Sequence, residues 1–142
     1  MKFMVLVKGN AQTEAGVMPT EADLIEMHKF NEQLIASGIM LAGEGLHPTS
    51  KGARIQLDAP GGKPVVIDGP FAETKELLAG FWMVQTKTKE ECIEWFKRCP
   101  AGTGTIEIRQ VFDSADFAPV IETDAGRAVL EAEDAFRKAH NQ

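Results

Sequence analysis

The stretch Lys2-Phe3-Met4-Val5-Leu6-Val7 is apolar from Phe3 onward without interruption. A strand that faces solvent on one side alternates apolar with polar residues, so an unbroken apolar run marks a strand covered on both faces. This stretch is therefore predicted to be a central strand, and every neighbouring segment is read by how it could cover it.

Working outward, a polar, glycine-containing stretch (residues 8–18) leads to Pro19, and Thr20 with Asp23 three residues later resembles a capping box opening a helix over 21–37. Leu24, Met27, Leu34 and Ile35 recur at helical spacing, with His28 and Asn31 inside that stripe and Gly38 as a left-handed stop. Residues 39–42 read as a second strand, followed by a flexible segment over 43–48. Two short strand-like runs, 53–57 and 65–67, flank the turn-forming cluster 58–64 and predict a hairpin. Residues 77–85 resume a strand pattern. Thr88 and Glu91 cap a second helix to about Arg98, ended by Cys99 and Pro100, and residues 105–111 alternate as a half-exposed last strand.

Strand, helix, strands, helix, strand is the order of an α+β, ferredoxin-like antiparallel sheet with two helices on one face. Such a sheet leaves its other face bare, and a large apolar patch is rare on soluble monomers. A homodimer, with two sheets meeting as a dimeric α+β barrel, is the expected remedy. The tail is the competing one. Past Phe112 the composition becomes linker-like to about Thr123, and Ala125, Ala128, Val129, Ala132, Ala135, Phe136 and Ala139 then recur at helical spacing. That C-terminal helix can cover its own subunit or clasp a partner. The domain boundaries expected are 1–112 for the α+β unit and 113–142 for the extension.

With 142 residues the chain has room for one hydrophobic core. A net charge of -6 argues against nucleic acid, whose backbone is bound by clustered Lys and Arg. The opening apolar run is shorter than a secretory signal core and no segment approaches membrane-spanning length, so a cytoplasmic location away from membranes is expected. Cys92 and Cys99, read as lying on one helix, are separated by roughly 10 Å at about 1.5 Å per residue, too far for a disulfide. Neither has a second Cys or His at a metal-ligand spacing. The histidines lack the paired spacing of a zinc helix, and Gly102-Thr103-Gly104 is too short to cradle phosphate, so neither a metal nor a cofactor is expected.

Asp68-Gly69-Pro70-Phe71-Ala72-Glu73-Thr74-Lys75-Glu76 resembles the signature of DGPF proteins, a branch of the YCII-related family. The opening strand, Phe30-Asn31-Glu32, Gly43-Glu44-Gly45-Leu46, Gly80-Phe81 and Arg98-Cys99-Pro100 add to the resemblance, which covers residues 1–112. It implies a bacterial protein with the dimeric ferredoxin-like fold, of a kind often encoded beside extracytoplasmic-type sigma factors. It also implies a His and an Asp at one pocket, where His28 and Asp68 hold the positions that look equivalent.

Taken as residues, His28 on an apolar helix face is either a packing imidazole or a base tuned toward neutrality. Asp68 before Gly-Pro is either a turn aspartate or a carboxylate presented at the rim of a sheet. If the fold joins them, Asp68 orients the ring and the two act as a general acid/base pair. Glu73 and Lys75 on the same loop, Glu44 between two glycines, and Phe71 are the substrate-binding candidates, each with a structural alternative as a solvated ion pair, a bend or a core anchor. His47, before a proline, and His140, near the end, carry no role in this reading. Two functions are expected to compete: a cofactor-independent enzyme using His28 and Asp68 on a small metabolite, or a noncatalytic dimer that binds a small molecule or a regulatory protein.

Overall fold

A computed structural model describes residues 1–100, 102 and 104–140, so the Gly102-Thr103-Gly104 segment and the end of the 113–142 extension fall partly outside the described residues. Four antiparallel strands form one sheet in the order β2-β5-β1-β6: β1 (Lys2–Lys8), β2 (Met40–Gly45), β5 (Leu78–Gln85) and β6 (Ile106–Gln110). The opening stretch is central, paired with β5 on one side and β6 on the other. Strands β3 (Ala53–Gln56) and β4 (Val65–Asp68) form a separate hairpin between β2 and β5. Among the described residues, no helix is long and apolar enough to cross a membrane.

Alternation on β1 and β5 sends Phe3, Val5, Trp82 and Val84 to one face, where α2 (Glu21–Ala36) and α3 (Lys89–Phe96) cover them. Phe30 from α2, Trp82 and Phe96 from α3 meet edge to face, with centroids 5.3–6.2 Å apart. Fully enclosed side chains such as Phe3, Val5, Leu34 and Val84 each contribute about 1.5–3 kcal/mol by leaving water. Asn31 Oδ1 accepts the Trp82 indole N–H at 2.9 Å, which removes the cost of burying that donor in the apolar layer.

The helix starts where expected: Thr20 and Asp23 cap each other reciprocally. Its buried stripe is different. Phe30 and Leu34 are buried with Met27 beside them, whereas Leu24 and Ile35 are mostly exposed. His28 is not in the stripe either; its side chain is 74% exposed and its Nε2 lies 3.4 Å from Glu32 one turn on. One helical repeat accommodates two overlapping stripes, and the aromatic contacts of Phe30 choose between them.

The glycine-rich segment after residue 42 continues as strand rather than a flexible connection, because Gly43 lies against Trp82 and a Cβ there would come within 2.8 Å of the indole. Two short helices were not foreseen, α1 (Ala11–Glu14) and α4 (Ser114–Phe117), each started by a reciprocal cap from Asn10 and Asp113.

The other sheet face carries Met4, Leu6, Phe81 and Met83, all half-buried, flanked by Lys8, Glu107 and Arg109. Helix α5 (Asp124–Ala139) is tied to α4 by a hydrogen bond from Ser114 to Asp134. It turns Gly126, Leu130, Asp134 and Arg137 inward and leaves Val129 and Phe136 more than half exposed, so its apolar stripe points to solvent.

Candidate functional site

The 68–71 loop leaves β4 and turns back toward β5. Gly69 passes so close to the connection between β2 and β3 that a Cβ on it would lie 1.7 Å from the Thr49 carbonyl oxygen. Only glycine fits there. The Gly69 N–H donates to the Gly52 carbonyl at 3.1 Å, the Gly69–Pro70 peptide is cis, and the Phe71 N–H donates to Thr49 Oγ1 at 3.0 Å. Thr49 in turn donates its hydroxyl to Glu14 Oε2 at 2.6 Å and its amide to Oε1 at 3.3 Å. A chain of hydrogen bonds thus runs from α1 through Thr49 to Phe71 and fixes the loop.

Once Phe71 is fixed, the Arg54 guanidinium sits over its ring at 4.0 Å and reaches Glu73 at 3.3 Å. Beside them opens a cavity of about 440 Å³, lined by Leu46, Pro48, Phe71, Leu77 and Leu78 as apolar wall and by His47, Lys51, Arg54 and Glu76 as ionisable groups. Lys51 makes no side-chain hydrogen bond or ion pair among the described residues. Cations beside an aromatic ring and aliphatic walls suit a small planar ligand that carries negative charge.

The residues singled out in the sequence are distributed unevenly around this cavity. Phe71 lines it and Glu73 holds Arg54, while Asp68 is exposed at the end of β4, opposite Ala53. Glu44 is exposed on β2 opposite Phe81, and Lys75 is exposed on the turn before β5. His28 is paired with Glu32, and no described hydrogen bond or ion pair joins it to Asp68. Neither of them lines this cavity.

His47, given no role by its place before a proline, does line it, as do Lys51 and Arg54. Thr49, held by Glu14, lines it as well. Arg54 inside an otherwise strand-like run was the available signal, but its partner Phe71 becomes its neighbour only through the hairpin. Among the described residues, no group of three or more His, Cys, Asp or Glu is placed to hold a metal ion.

Burial pushes the Cys92 thiol up to about 11, with the nearby Glu91 charge acting in the same direction, so this cysteine is a packing residue rather than a nucleophile. Cys99 is half-buried.

An uncharacterized protein (R00369) of Rhizobium meliloti strain 1021 is 36% identical over 67 residues, which span 45% of this chain and about half (52%) of that relative. Among solved structures, the chain is similar to the 5-chloro-2-hydroxyhydroquinone dehydrochlorinase TftG of Burkholderia phenoliruptrix AC1100, in complex with 2,5-dihydroxybenzoquinone. That likeness has a TM-score of 0.43 at 13% identity and covers 80% of this chain and 95% of the other. The YCII-related domain family matches residues 1–115, most of the length, and the chain belongs to that family.

Proposed function

We propose that the protein is a homodimeric small-molecule-binding protein of the bacterial cytoplasm whose ligand, a small planar anion, lies against Phe71. One observation carries this reading: His47, Lys51 and Arg54, three groups able to bear positive charge, line one cavity with an aromatic ring. A carboxylate would meet Lys51, unpaired among the described residues, and a flat body would extend over the Phe71 and Leu77 wall. His47 and Glu76 line the same space, which favours a second reading in which the bound molecule also undergoes proton transfer without a cofactor. In both readings His28 and Asp68 stand outside the ligand contacts.

The uncovered surfaces support this assembly. The subunit reads as ferredoxin-like, and Met4 and Leu6 belong to the part of the apolar sheet face that α5 leaves open, which a second copy would cover, closing an α+β barrel. Residues 113–142 form an appended unit whose outward Val129 and Phe136 offer a further surface to that copy. Light scattering should then give twice the 15.5 kDa chain mass, and a single-chain mass would refute the dimer.

Thermal-shift screening against aromatic carboxylates tests the site. A ligand present at a hundred times its Kd stabilises by about 2.7 kcal/mol, roughly 8 °C for a chain of this length. The shift should vanish in Arg54→Gln and persist in His28→Ala. Loss in His28→Ala with retention in Arg54→Gln would move the site away from Phe71.

A further inference from the structure

A second cavity, of about 820 Å³, lies between the other sheet face and the last turns of α5. Its floor is apolar, built from Leu41, Phe81 and Met83, with Phe112 beside it. Its rim is cationic. Lys2, Arg137 and Lys138 all line it, and none of their side chains makes a hydrogen bond or ion pair among the described residues.

The rim's two acids are already engaged: Asp113 caps α4 by accepting the Asp116 N–H, and Asp134 accepts from Ser114. The His140 ring stacks on Phe136, with its Nδ1 2.8 Å from the Phe136 carbonyl. Cations at a helix C-terminus are commonplace and favoured by the dipole. Arg137 differs in being half-buried, turned inward on α5 and in no ion pair with a carboxylate among the described residues. A partly buried guanidinium outside any such pair gains from an anion placed in the cavity.

We propose that this cavity binds an amphipathic anion, a carboxylate carried on an aliphatic chain, with the chain over Phe81 and Met83 and the carboxylate among Lys2, Arg137 and Lys138. Its volume lies in the range that encloses ligands of this kind. The site is separate from the one against Phe71, and only the appended α5 completes it. The tail thereby gains a role: it converts part of an open sheet face into a ligand chamber.

The test compares octanoate, octylammonium and octanol on the full chain by calorimetric titration, with anilinonaphthalene sulfonate fluorescence as a second readout. Octanoate should bind and displace the dye, with the other two much weaker. Arg137→Gln and Lys2→Gln should each weaken octanoate about tenfold, the scale of one charge-assisted hydrogen bond. Arg137→Glu should reverse the preference toward octylammonium, an outcome that misfolding cannot imitate. Arg54→Gln should leave octanoate binding intact while abolishing any ligand shift at the Phe71 cavity, which keeps the two sites distinguishable. Octanol binding as tightly as octanoate, wild-type affinity in both neutral variants, or no octanoate binding up to about 5 mM would each overturn the proposal.

Discussion

Replacing Gly69 by alanine strikes the point on which the whole Phe71 cavity is hung. The new Cβ would stand 1.7 Å from the Thr49 carbonyl oxygen and 2.5 Å from its carbonyl carbon, where real contacts need at least 3.0 Å. Both obstacles are backbone, so no side chain can swing aside and one segment must withdraw. Withdrawal breaks the Gly69 to Gly52 and Phe71 to Thr49 hydrogen bonds and loosens the Thr49 contacts with Glu14. At about 1 kcal/mol net for each of three bonds, the loss is about 3 kcal/mol. At roughly 3 °C per kcal/mol this lowers Tm by about 9 °C. The layer built on Phe3, Trp82 and Phe96 is elsewhere, so far-ultraviolet circular dichroism should be unchanged. Hydrogen exchange reads the cause directly: protection of the Phe71 amide should fall far more than that of Val5. A Tm within about 2 °C of wild type, with Phe71 still protected, would refute the steric argument.

Three further outcomes follow from other parts of the molecule. Asn31→Leu leaves the buried Trp82 indole N–H without its acceptor and should cost about 1–3 kcal/mol, read by denaturant unfolding, whereas the exposed His28→Ala should change stability little. Cys92 should resist a thiol reagent at mildly alkaline pH until the chain unfolds; with its thiol raised from 9.0 to about 11, the unfolded chain gives up that proton first, so stability is intact below 9.0 and falls as pH rises toward 11. The Lys8 hydrogen bond, then its charge, holds the Glu107 carboxyl below the ordinary carboxylate value, so the pair's contribution is present above that value and lost as pH falls through the depressed one. In Lys8→Met the Glu107 carboxyl should titrate higher by NMR, and an unmoved titration would contradict the assignment.

Local signals were legible wherever the deciding contact lies within a few residues. Thr20 with Asp23 announced α2, Thr88 with Glu91 announced α3, and the apolar opening announced the central strand. The same logic would have found α1, since Asn10 and Thr13 have capping-box spacing, but the surrounding polar run masked it. What depends on distant partners was not legible. Phe30 outranks Leu24 and Ile35 because Trp82 and Phe96 meet it, and the Asn31 amide has its purpose only once Trp82, far along the chain, comes to it. Gly43 looked flexible because its reason for being small is an indole on another strand. For the site, the 68–71 loop was recognisable as a feature, and Phe71 was named from it. The loop's neighbours were not, because Thr49, Lys51 and Arg54 become its walls through pairing of β3 with β4 rather than through any spacing.

Whether the ligand lies against Phe71 is read most directly by NMR shift mapping with the most stabilising aromatic carboxylate. Amide shifts concentrated at Lys51, Arg54, Phe71 and Leu77, with His28 and Glu32 unmoved, are the predicted result. Shifts concentrated at His28 and Glu32, with Arg54 and Phe71 silent, would contradict it.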